Sequence, residues 1–446
     1  MKRFPTTVAG LDGILHGGLF EGGVYIFEGP PGVGKTTLAN QIAYNHAKEG
    51  GKTLYVTMLS ESHARMVQHM EGQTFFQKSA VNSMVFYLSG YREFEQNGLK
   101  AVVSLLRGEL ARSGATLLVI DGLVVSAPAI DEGVRQFVHE LQSLVTAMNC
   151  TCLLLTSGRG NALSAEQSMV DGIFAFDHYL YRGRAERLVQ VCKFRGSEVV
   201  RGQHAYCITN DGIHVFPRLE SMPMVAKELP PPRAANVGIP DLDGALKDKG
   251  VCAGSSSVVI GESGSGKTLL ALRFAVAAKP VEPVLLLLGS PETAQNIFEM
   301  GARFDIPLEK SAKGGTLFVH TIGQSDESLD EMGHKILRLV EEHGIRRVVL
   351  DSAAALADTL AFPERGYRFI GRLLHELKHR HVTSLFTLDP AEIAVASGTP
   401  LATGLSALFD NAFSLEAHFD PAPARRLTVR KIRGMPTALA ALTLSA

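Results

Sequence analysis

Short apolar runs alternate with longer amphipathic segments along both halves of the chain. In the first half the runs are rich in leucine or β-branched residues and cover residues 23–27, 53–57, 116–120 and 151–156. The second half repeats the pattern, with runs at residues 256–260, 284–288, 348–350 and 384–388. Buried strands that alternate with helices are typical of a mostly parallel sheet flanked by helices. The pattern therefore predicts an α/β fold in each half.

The sequence also contains a repeat of whole-domain length. The segment GPPGVGKTTLANQIA at residues 29–43 reappears in altered form as GESGSGKTLLALRFA at residues 261–275. Four further matches keep the same order at offsets of about 230 to 238 residues: L-D-G, an apolar run ending in Asp, H-E-L and K-x-R-G. Solenoid repeats are only roughly 20–50 residues long, so this period indicates two tandem domains. We predict domains at residues 1–225 and 236–446, joined by a Pro-rich linker at residues 226–235.

Composition narrows the class of protein. A chain of 446 residues with 46% hydrophobic and 20% charged residues can bury large cores. Its formal net charge of -1 provides no overall field that attracts a polyanion, so nucleic acid is not the expected partner. The five cysteines form no C-x-x-C pair, which argues against a disulfide framework and structural zinc. No apolar run approaches the roughly 20 residues of a membrane span, so we expect a cytoplasmic protein without a membrane partner.

Each half carries the pattern G-x-x-x-x-G-K-[ST] between a predicted strand and a predicted helix. In such a loop the backbone N–H groups surround phosphates, the lysine reaches the β- and γ-phosphate oxygens, and the hydroxyl binds Mg²⁺. The pattern predicts two ATP/ADP sites with Mg²⁺, in which both lysines are catalytic and Thr36 and Thr268 bind the metal. The predicted phosphate-binding residues are Gly29, Gly32, Gly34, Lys35, Thr36 and Thr37 in the first half, and Gly261, Gly264, Gly266, Lys267, Thr268 and Leu269 in the second.

Four carboxylates follow apolar runs at matched places in the two halves. Asp121 and Asp351 each end such a run, at the sheet edge where the Mg²⁺ of a phosphate loop is held, and we predict both as metal residues. Glu61 and Glu292 follow the second strand of each half, where a carboxylate can polarise the attacking water. The alternative for these glutamates is a helix-start residue that complements the helix dipole.

Together these motifs resemble the KaiC/RadA branch of the RecA superfamily, and the doubled arrangement is similar to its KaiC-like members. The resemblance covers nearly the whole chain. It implies two tandem RecA-like ATPase lobes stacked as two rings in a homohexamer, with ATP between neighbouring subunits. It further implies that the cations of the two K-x-R-G motifs reach a neighbour's γ-phosphate, namely Lys193, Arg195, Lys431 and Arg433. A cation supplied in trans stabilises the transferring phosphoryl group, whereas the alternative is a pair of exposed strand charges.

The chain departs from the family pattern in three places. The family has two adjacent glutamates after the second strand, whereas Glu61 follows a serine and Glu292 a proline, so only one position of each pair carries over. The adjacent Ser-Thr phosphoacceptors of the clock members are missing, which leaves Thr403 and Ser406 as the candidates for Ser/Thr autokinase activity in the C-terminal lobe. The sequence ends soon after the second K-x-R-G motif, so we expect little of the partner-binding tail and a regulatory or signalling role other than day timing.

Two other functions stay open at this point. A nucleic-acid-dependent ATPase of the RecA/RadA type would need a basic loop, and neither residues 159–167 nor residues 389–392 have that character. A nucleotide-gated scaffold with negligible turnover would carry the same motifs. The H-E-x-x-H pattern at residues 375–379 suggests a zinc-protease helix, but the matched residues 139–143 lack the second histidine. We therefore predict an ordinary amphipathic helix there.

Overall fold

The computed structural model divides the chain into two compact units, Met1–Met222 and Pro223–Ala446. It describes residues 2–58, 63–122, 131–157, 169–224, 233–246, 249–278, 282–322, 327–359, 361–389, 391, 406–418, 424–433 and 441–444. Each unit is built on one large sheet. Within the described residues, no helix combines the length and apolar character needed to cross a membrane.

Within the described residues, the first unit contains a nine-stranded sheet with helices on both faces and a separate two-stranded sheet of its first two strands. Its strands are β1 (Arg3–Phe4), β2 (Leu19–Phe20), β3 (Val24–Gly29), β4 (Thr53–Thr57), β5 (Val85–Ser89), β6 (Leu117–Asp121), β7 (Thr151–Ser157), β8 (Gly172–Tyr181), β9 (Arg184–Phe194), β10 (Gln203–Thr209) and β11 (Gly212–Phe216). Its helices are α1 (Leu11–Ile14), α2 (Lys35–Lys48), α3 (His63–Met70), α4 (Tyr91–Ser113) and α5 (Asp131–Ala147). The main sheet has the order β11-β10-β9-β8-β3-β7-β6-β4-β5. It is parallel from β8 to β5 and antiparallel from β8 to β11.

Both faces of this sheet are buried, which explains the uninterrupted apolar runs. Along β3, Tyr25 and Phe27 pack in a cluster that includes Ile42 of α2. Val24 and Ile26 belong to a second cluster on the opposite face, together with residues of α5. Successive side chains of a strand point to opposite faces, so a strand covered on both sides is apolar throughout.

The second unit repeats this topology. Its strands are β12 (Ala234–Ala235), β13 (Val251–Cys252), β14 (Ser256–Ile260), β15 (Val284–Gly289), β16 (Leu317–Ile322), β17 (Arg347–Asp351), β18 (Thr383–Leu388), β19 (Asn411–His418), β20 (Ala424–Ile432) and β21 (Ala441–Leu444). Its helices are α6 (Pro240–Ala245), α7 (Lys267–Val276), α8 (Ala294–Arg303), α9 (Leu308–Lys313), α10 (Leu329–Glu342), α11 (Ala354–Asp358) and α12 (Gly366–His379). The eight-stranded sheet has the order β16-β15-β17-β18-β14-β19-β20-β21. The prediction of two tandem, mostly parallel α/β domains is confirmed.

Matched strands place the same motifs at the same sheet edge in both units. The central strand, β3 or β14, leads into a glycine loop and then into α2 or α7. The strand two places away, β6 or β17, ends in an aspartate. Carboxyl ends of parallel strands meet at one edge, so the loop and the aspartate lie close together.

Candidate functional site

The loop of the first unit has a backbone that only glycine adopts easily at three positions. Gly29, Gly32 and Gly34 have φ values of 157°, 84° and 92°, all in the left-handed region. A Cβ at Gly29 would lie 2.4 Å from the carbonyl oxygen of Phe176, so no side chain fits there. The loop can therefore turn tightly between β3 and α2, with Gly34 as the residue that precedes the helix.

This turn leaves a series of backbone donors without partners. The N–H groups from Gly32 to Thr37 make no hydrogen bond to any acceptor in the described part of the chain. They lie at the N-terminus of the 14-residue helix α2, where the helix dipole favours an anion. Consecutive free N–H groups at a helix start fit phosphate oxygens, so the residues present match the nucleotide that the motif predicts.

Lys35 lies at the start of the same helix. Its ammonium donates to the carbonyl oxygens of Gly29, at 2.7 Å, and Pro30, at 3.0 Å. Burial lowers the pKa of Lys35, and the negative charge of Asp121 opposes that shift. The lysine is thus held over its own loop, beside the free N–H groups and the aspartate.

The hydroxyl and the carboxylate predicted to hold the metal are in direct contact in the first unit. Thr36 Oγ1 donates to Asp121 Oδ2 over 2.8 Å. The same carboxylate oxygen accepts a second hydrogen bond from Tyr55 Oη at 2.9 Å. One hydroxyl and one carboxylate at this spacing are the hard oxygen ligands that Mg²⁺ prefers.

The second unit forms a similar loop around Lys267. Gly264 and Gly266 have φ values of 80° and 100°, and a Cβ at Gly261 would lie 2.4 Å from the carbonyl oxygen of Leu415. The N–H groups of Gly264, and of the four residues from Gly266 to Leu269, make no hydrogen bond within the described chain. These donors form the second predicted phosphate site.

The charged groups of the second site are arranged differently. Lys267 donates to the carbonyl oxygens of Gly261 and Glu262, both at 2.8 Å, and also lies 3.6 Å from Asp389 Oδ2. Asp389 is buried and follows β18 directly. This contact could not be predicted from the sequence, because the nearness of the two residues depends on the pairing of β18 with β14.

Asp351, the aspartate predicted to hold the metal in the second unit, is bonded differently from Asp121 in the first unit. Among the described residues, no hydrogen bond joins Thr268 to Asp351. Asp351 accepts instead from the hydroxyl of Thr387 on β18. Sequence reasoning missed both Thr387 and Tyr55, since each strand contains other hydroxyl residues and only the strand pairing shows which of them meets the aspartate.

A cavity of about 190 Å³ adjoins the second loop. Its lining includes Gly266, Leu269, Leu415 and Arg425. Arg425 lies against the loop, since a Cβ at Gly266 would lie 2.8 Å from its Nε. The apolar walls and the flat guanidinium are suited to the base or ribose of a nucleotide. The matched glycine of the first unit, Gly34, is instead covered by Ile208 and Ile213 of β10 and β11.

The structure describes only one of the two predicted catalytic glutamates. Glu61 lies outside the described residues. Glu292 is exposed, just beyond β15 and one residue before Thr293, whose hydroxyl caps α8 by accepting from the N–H of Asn296. The position is at the same sheet edge as Asp351, and it is also a helix-start position, so both roles proposed for Glu292 agree with its place.

The two K-x-R-G motifs each follow an irregularity in strand pairing. Lys193 pairs with Ile173 and Val191 with Phe174, so Cys192 is an extra residue in β9. In β20 the register shifts at the matched point, where Lys431 pairs with Ala412 and Val429 with Phe413. Such a bulge bends a strand and redirects its side chains. The same bulge in both units supports a shared role for the cations that follow it.

In this structure the cations contact groups of their own unit. Arg195 donates to the carbonyl oxygen of Met169 at 3.0 Å, and Lys431 to that of Phe409 at 2.7 Å. Arg433 forms an ion pair with the buried Asp410. Burial and the nearby Arg195 lower the pKa of Lys193, and Asp171 opposes this shift.

Thr37 and Leu269, the last two predicted phosphate-binding residues, adjoin the glycine loops. Thr37 lies in the first turn of α2, and Leu269 lies in the first turn of α7. Ser406 is half-buried, whereas Thr403 lies outside the described residues. His375 and His379 lie one turn apart on α12, with ring centroids 4.1 Å apart. The described residues contain no group of three or more side chains that could hold a metal ion there.

The doubled sheet and its two glycine loops define a tandem P-loop protein. The family model described as "ATPase: KaiC" matches residues 4–220 and 235–445. The chain therefore belongs to the KaiC family of ATPases.

Three curated relatives show how far the similarity extends. The chain is 24% identical to the circadian clock oscillator protein KaiC of Picosynechococcus sp. over 406 residues, which are 87% of this chain and 77% of the relative. It is 24% identical to the circadian clock protein KaiC2 of Synechocystis sp. over 452 residues, covering 97% of this chain and 78% of the relative. The KaiC of Thermostichus vulcanus is 22% identical over 454 residues, with 97% and 85% covered.

Proposed function

We propose that this chain binds Mg·ATP in both units and hydrolyses it, as a ring-forming, nucleotide-driven regulatory ATPase. The observation that carries the proposal is the series of unbonded N–H groups at the start of α2 and of α7. Each series lies beside a lysine, and an aspartate ends the strand two places away in the sheet. Polyphosphate is the ligand that uses many donors converging on one place.

Each residue has a definite role in this proposal. In the first unit Thr36 and Asp121 would hold Mg²⁺, and Thr268 and Asp351 would do so in the second. When bound, Mg²⁺ neutralises charge on the β- and γ-phosphate oxygens. Lys35 and Lys267 exchange their loop carbonyls for the same phosphate oxygens. Glu61 and Glu292 accept the proton of the attacking water.

Assembly completes the site in this proposal. The predicted homohexamer would place Lys193 and Arg195, or Lys431 and Arg433, beside the γ-phosphate bound by a neighbouring subunit. ATP that binds the ring in preference to separate chains stabilises the ring, by roughly 2.7 kcal/mol per site at a hundredfold excess over the dissociation constant. ATP should therefore promote ring formation.

One experiment separates this function from its alternatives. Mass is measured by size exclusion with and without Mg·ATP, and phosphate release is then measured on the same fractions. A six-chain species that releases phosphate supports the proposal. A ring without turnover supports the nucleotide-gated scaffold, and turnover that appears only with added DNA or RNA supports the RecA/RadA-type alternative. Labelled phosphate retained on the protein, and mapped to Thr403 or Ser406, would establish autokinase activity.

A further inference from the structure

Each metal aspartate accepts a hydrogen bond from one hydroxyl of a neighbouring strand, but the two units use opposite neighbours. In the first unit, Tyr55 of β4 donates to Asp121. In the second, Thr387 of β18 donates to Asp351. These strands flank the aspartate strand on its two sides, because β6 lies between β4 and β7 and β17 lies between β15 and β18.

Strand register identifies the matched positions. Thr57 pairs with Asp121 as Leu288 pairs with Asp351, so Leu286 of β15 occupies the place of Tyr55. Leu155 of β7 pairs with Asp121, and it occupies the place of Thr387. Each aspartate therefore has a hydroxyl on one side and a leucine on the other, in reversed order. The same contact is made by two unrelated residue types in the two units.

Tyr55 is fixed in place and remains a donor. Its side chain is fully buried, with its ring centroid 5.4 Å from that of Tyr87. Its hydroxyl donates to Asp121 Oδ2 over 2.9 Å.

The surrounding polar groups connect this contact to the phosphate loop. Tyr87 donates to Asn40 Oδ1 at 2.8 Å, and Asn40 Nδ2 donates to the carbonyl oxygen of Thr36 at 2.9 Å. The backbone of Thr36 and the ring of Tyr55 are thus linked through Asn40 and Tyr87. Satisfied buried networks of this kind rigidify their members.

We propose that Tyr55 and Thr387 are positioning residues that orient the metal aspartate of their own unit toward Mg²⁺. This inference rests on the proposed function. A carboxylate that has lost its fixed partner rotates more freely, and loss of such a partner typically weakens metal affinity about 10- to 100-fold. We expect this loss in Tyr55→Phe for the first unit and in Thr387→Val for the second.

The test measures metal binding rather than turnover. Mn²⁺ affinity in the presence of ADP is measured by electron paramagnetic resonance, with Lys267→Ala as the background that leaves only the first site. ADP affinity is measured in parallel in EDTA. Tyr55→Phe should weaken Mn²⁺ binding by about tenfold or more and leave metal-free ADP binding unchanged. Tyr25→Phe, which removes a buried tyrosine hydroxyl that bonds the carbonyl oxygen of Phe20 and not Asp121, should change Mn²⁺ affinity less than threefold.

Relocation of the hydroxyl is the sharper arm of the test. Leu155→Thr, added to Tyr55→Phe, supplies a hydroxyl at the place that Thr387 occupies in the other unit, and it should restore much of the Mn²⁺ affinity. In the second unit, Thr387→Val should weaken Mn²⁺ binding while Thr387→Ser keeps it, both in a Lys35→Ala background. This pair carries the test if Tyr55→Phe does not fold.

The outcomes distinguish the two proposals. If the wild-type chain binds no Mn·ADP, the proposed function fails. If the wild type binds Mn·ADP, but Tyr55→Phe matches Tyr25→Phe and Thr387→Val matches Thr387→Ser, only the positioning role is overturned.

Discussion

Arg433 Nη1 lies 2.8 Å from Asp410 Oδ1, so a cation predicted to act on a neighbouring subunit is paired within its own unit. Asp410 also accepts from Lys378 at 3.1 Å and from the N–H of Ser256 at 3.1 Å. The carboxylate therefore keeps partners if Arg433 leaves. The Arg433 side chain is 71% exposed, so water can solvate its guanidinium when it leaves the buried Asp410. We therefore expect only a small cost in free energy when Arg433 leaves Asp410 for a neighbour's phosphate.

If Arg433 acts on a neighbouring subunit, two impaired variants should complement each other when they are mixed. Arg433→Ala and Glu292→Gln should each slow phosphate release, since one lacks the trans cation and the other lacks the carboxylate that polarises water. A mixture should recover part of the rate, because some interfaces then combine an intact glutamate with an intact arginine. Arg195→Ala with Glu61→Gln is the matched pair for the first unit. If each mixture shows only the average rate of its components, the cations do not act across subunits.

Asp410 also predicts a pH-dependent contribution to stability. Burial alone would raise the pKa of this carboxyl, but hydrogen bonds from Arg433 and Ser256, with Lys378 nearby, lower it overall. A depressed folded-state pKa contributes stability above the unfolded value, about 3.9, and the contribution disappears as pH falls through the folded-state value. Asp410→Asn should lower the melting temperature at pH 7, by about 2–4 °C per kcal/mol lost, and the gap should narrow below pH 4. A gap of constant size across that range would contradict this assignment.

The glutamates give a prediction about mechanism. Glu61→Gln and Glu292→Gln keep the side-chain volume but remove the charge, so phosphate release in the altered unit should fall at least tenfold. General-base catalysis contributes roughly a hundred- to ten-thousandfold, which leaves room for such a loss. ATP affinity should change by no more than a few-fold, measured by equilibrium binding. Wild-type turnover in the double variant would show that both glutamates are only helix-start residues.

The position of Asp389 leads us to expect different ATP affinities at the two sites. It places a buried carboxylate 3.6 Å from Lys267, whereas Ser157 occupies the matched position at the end of β7. A carboxylate beside the lysine repels phosphate, so Asp389→Ser should tighten ATP binding by the second unit about three- to tenfold. Ser157→Asp should weaken binding by the first unit to a similar extent. Isothermal titration measures the ATP affinity of each unit in variants that keep only that site. If neither substitution changes the ATP affinity, this effect is excluded.

The sequence predicted the fold because its strands are buried on both faces. The runs at residues 53–57 and 256–260 coincide with β4 and β14, and the others end within two residues of the observed strands. The glycine loops were predictable because their chemistry needs a fixed local spacing. The contacts that distinguish the two units were not predictable. Tyr55 meets Asp121, and Asp389 meets Lys267, through the order and register of strands that are distant along the chain.

We propose that one chain holds two independent nucleotide sites. The most direct measurement is the number of non-hydrolysable Mg·ATP analogues bound per chain at saturation. We expect two for the wild type, one each for Lys35→Ala and Lys267→Ala, and none for the double variant, with unchanged thermal unfolding of the ligand-free proteins. A wild-type chain that saturates at one nucleotide would show that it does not have two independent nucleotide sites.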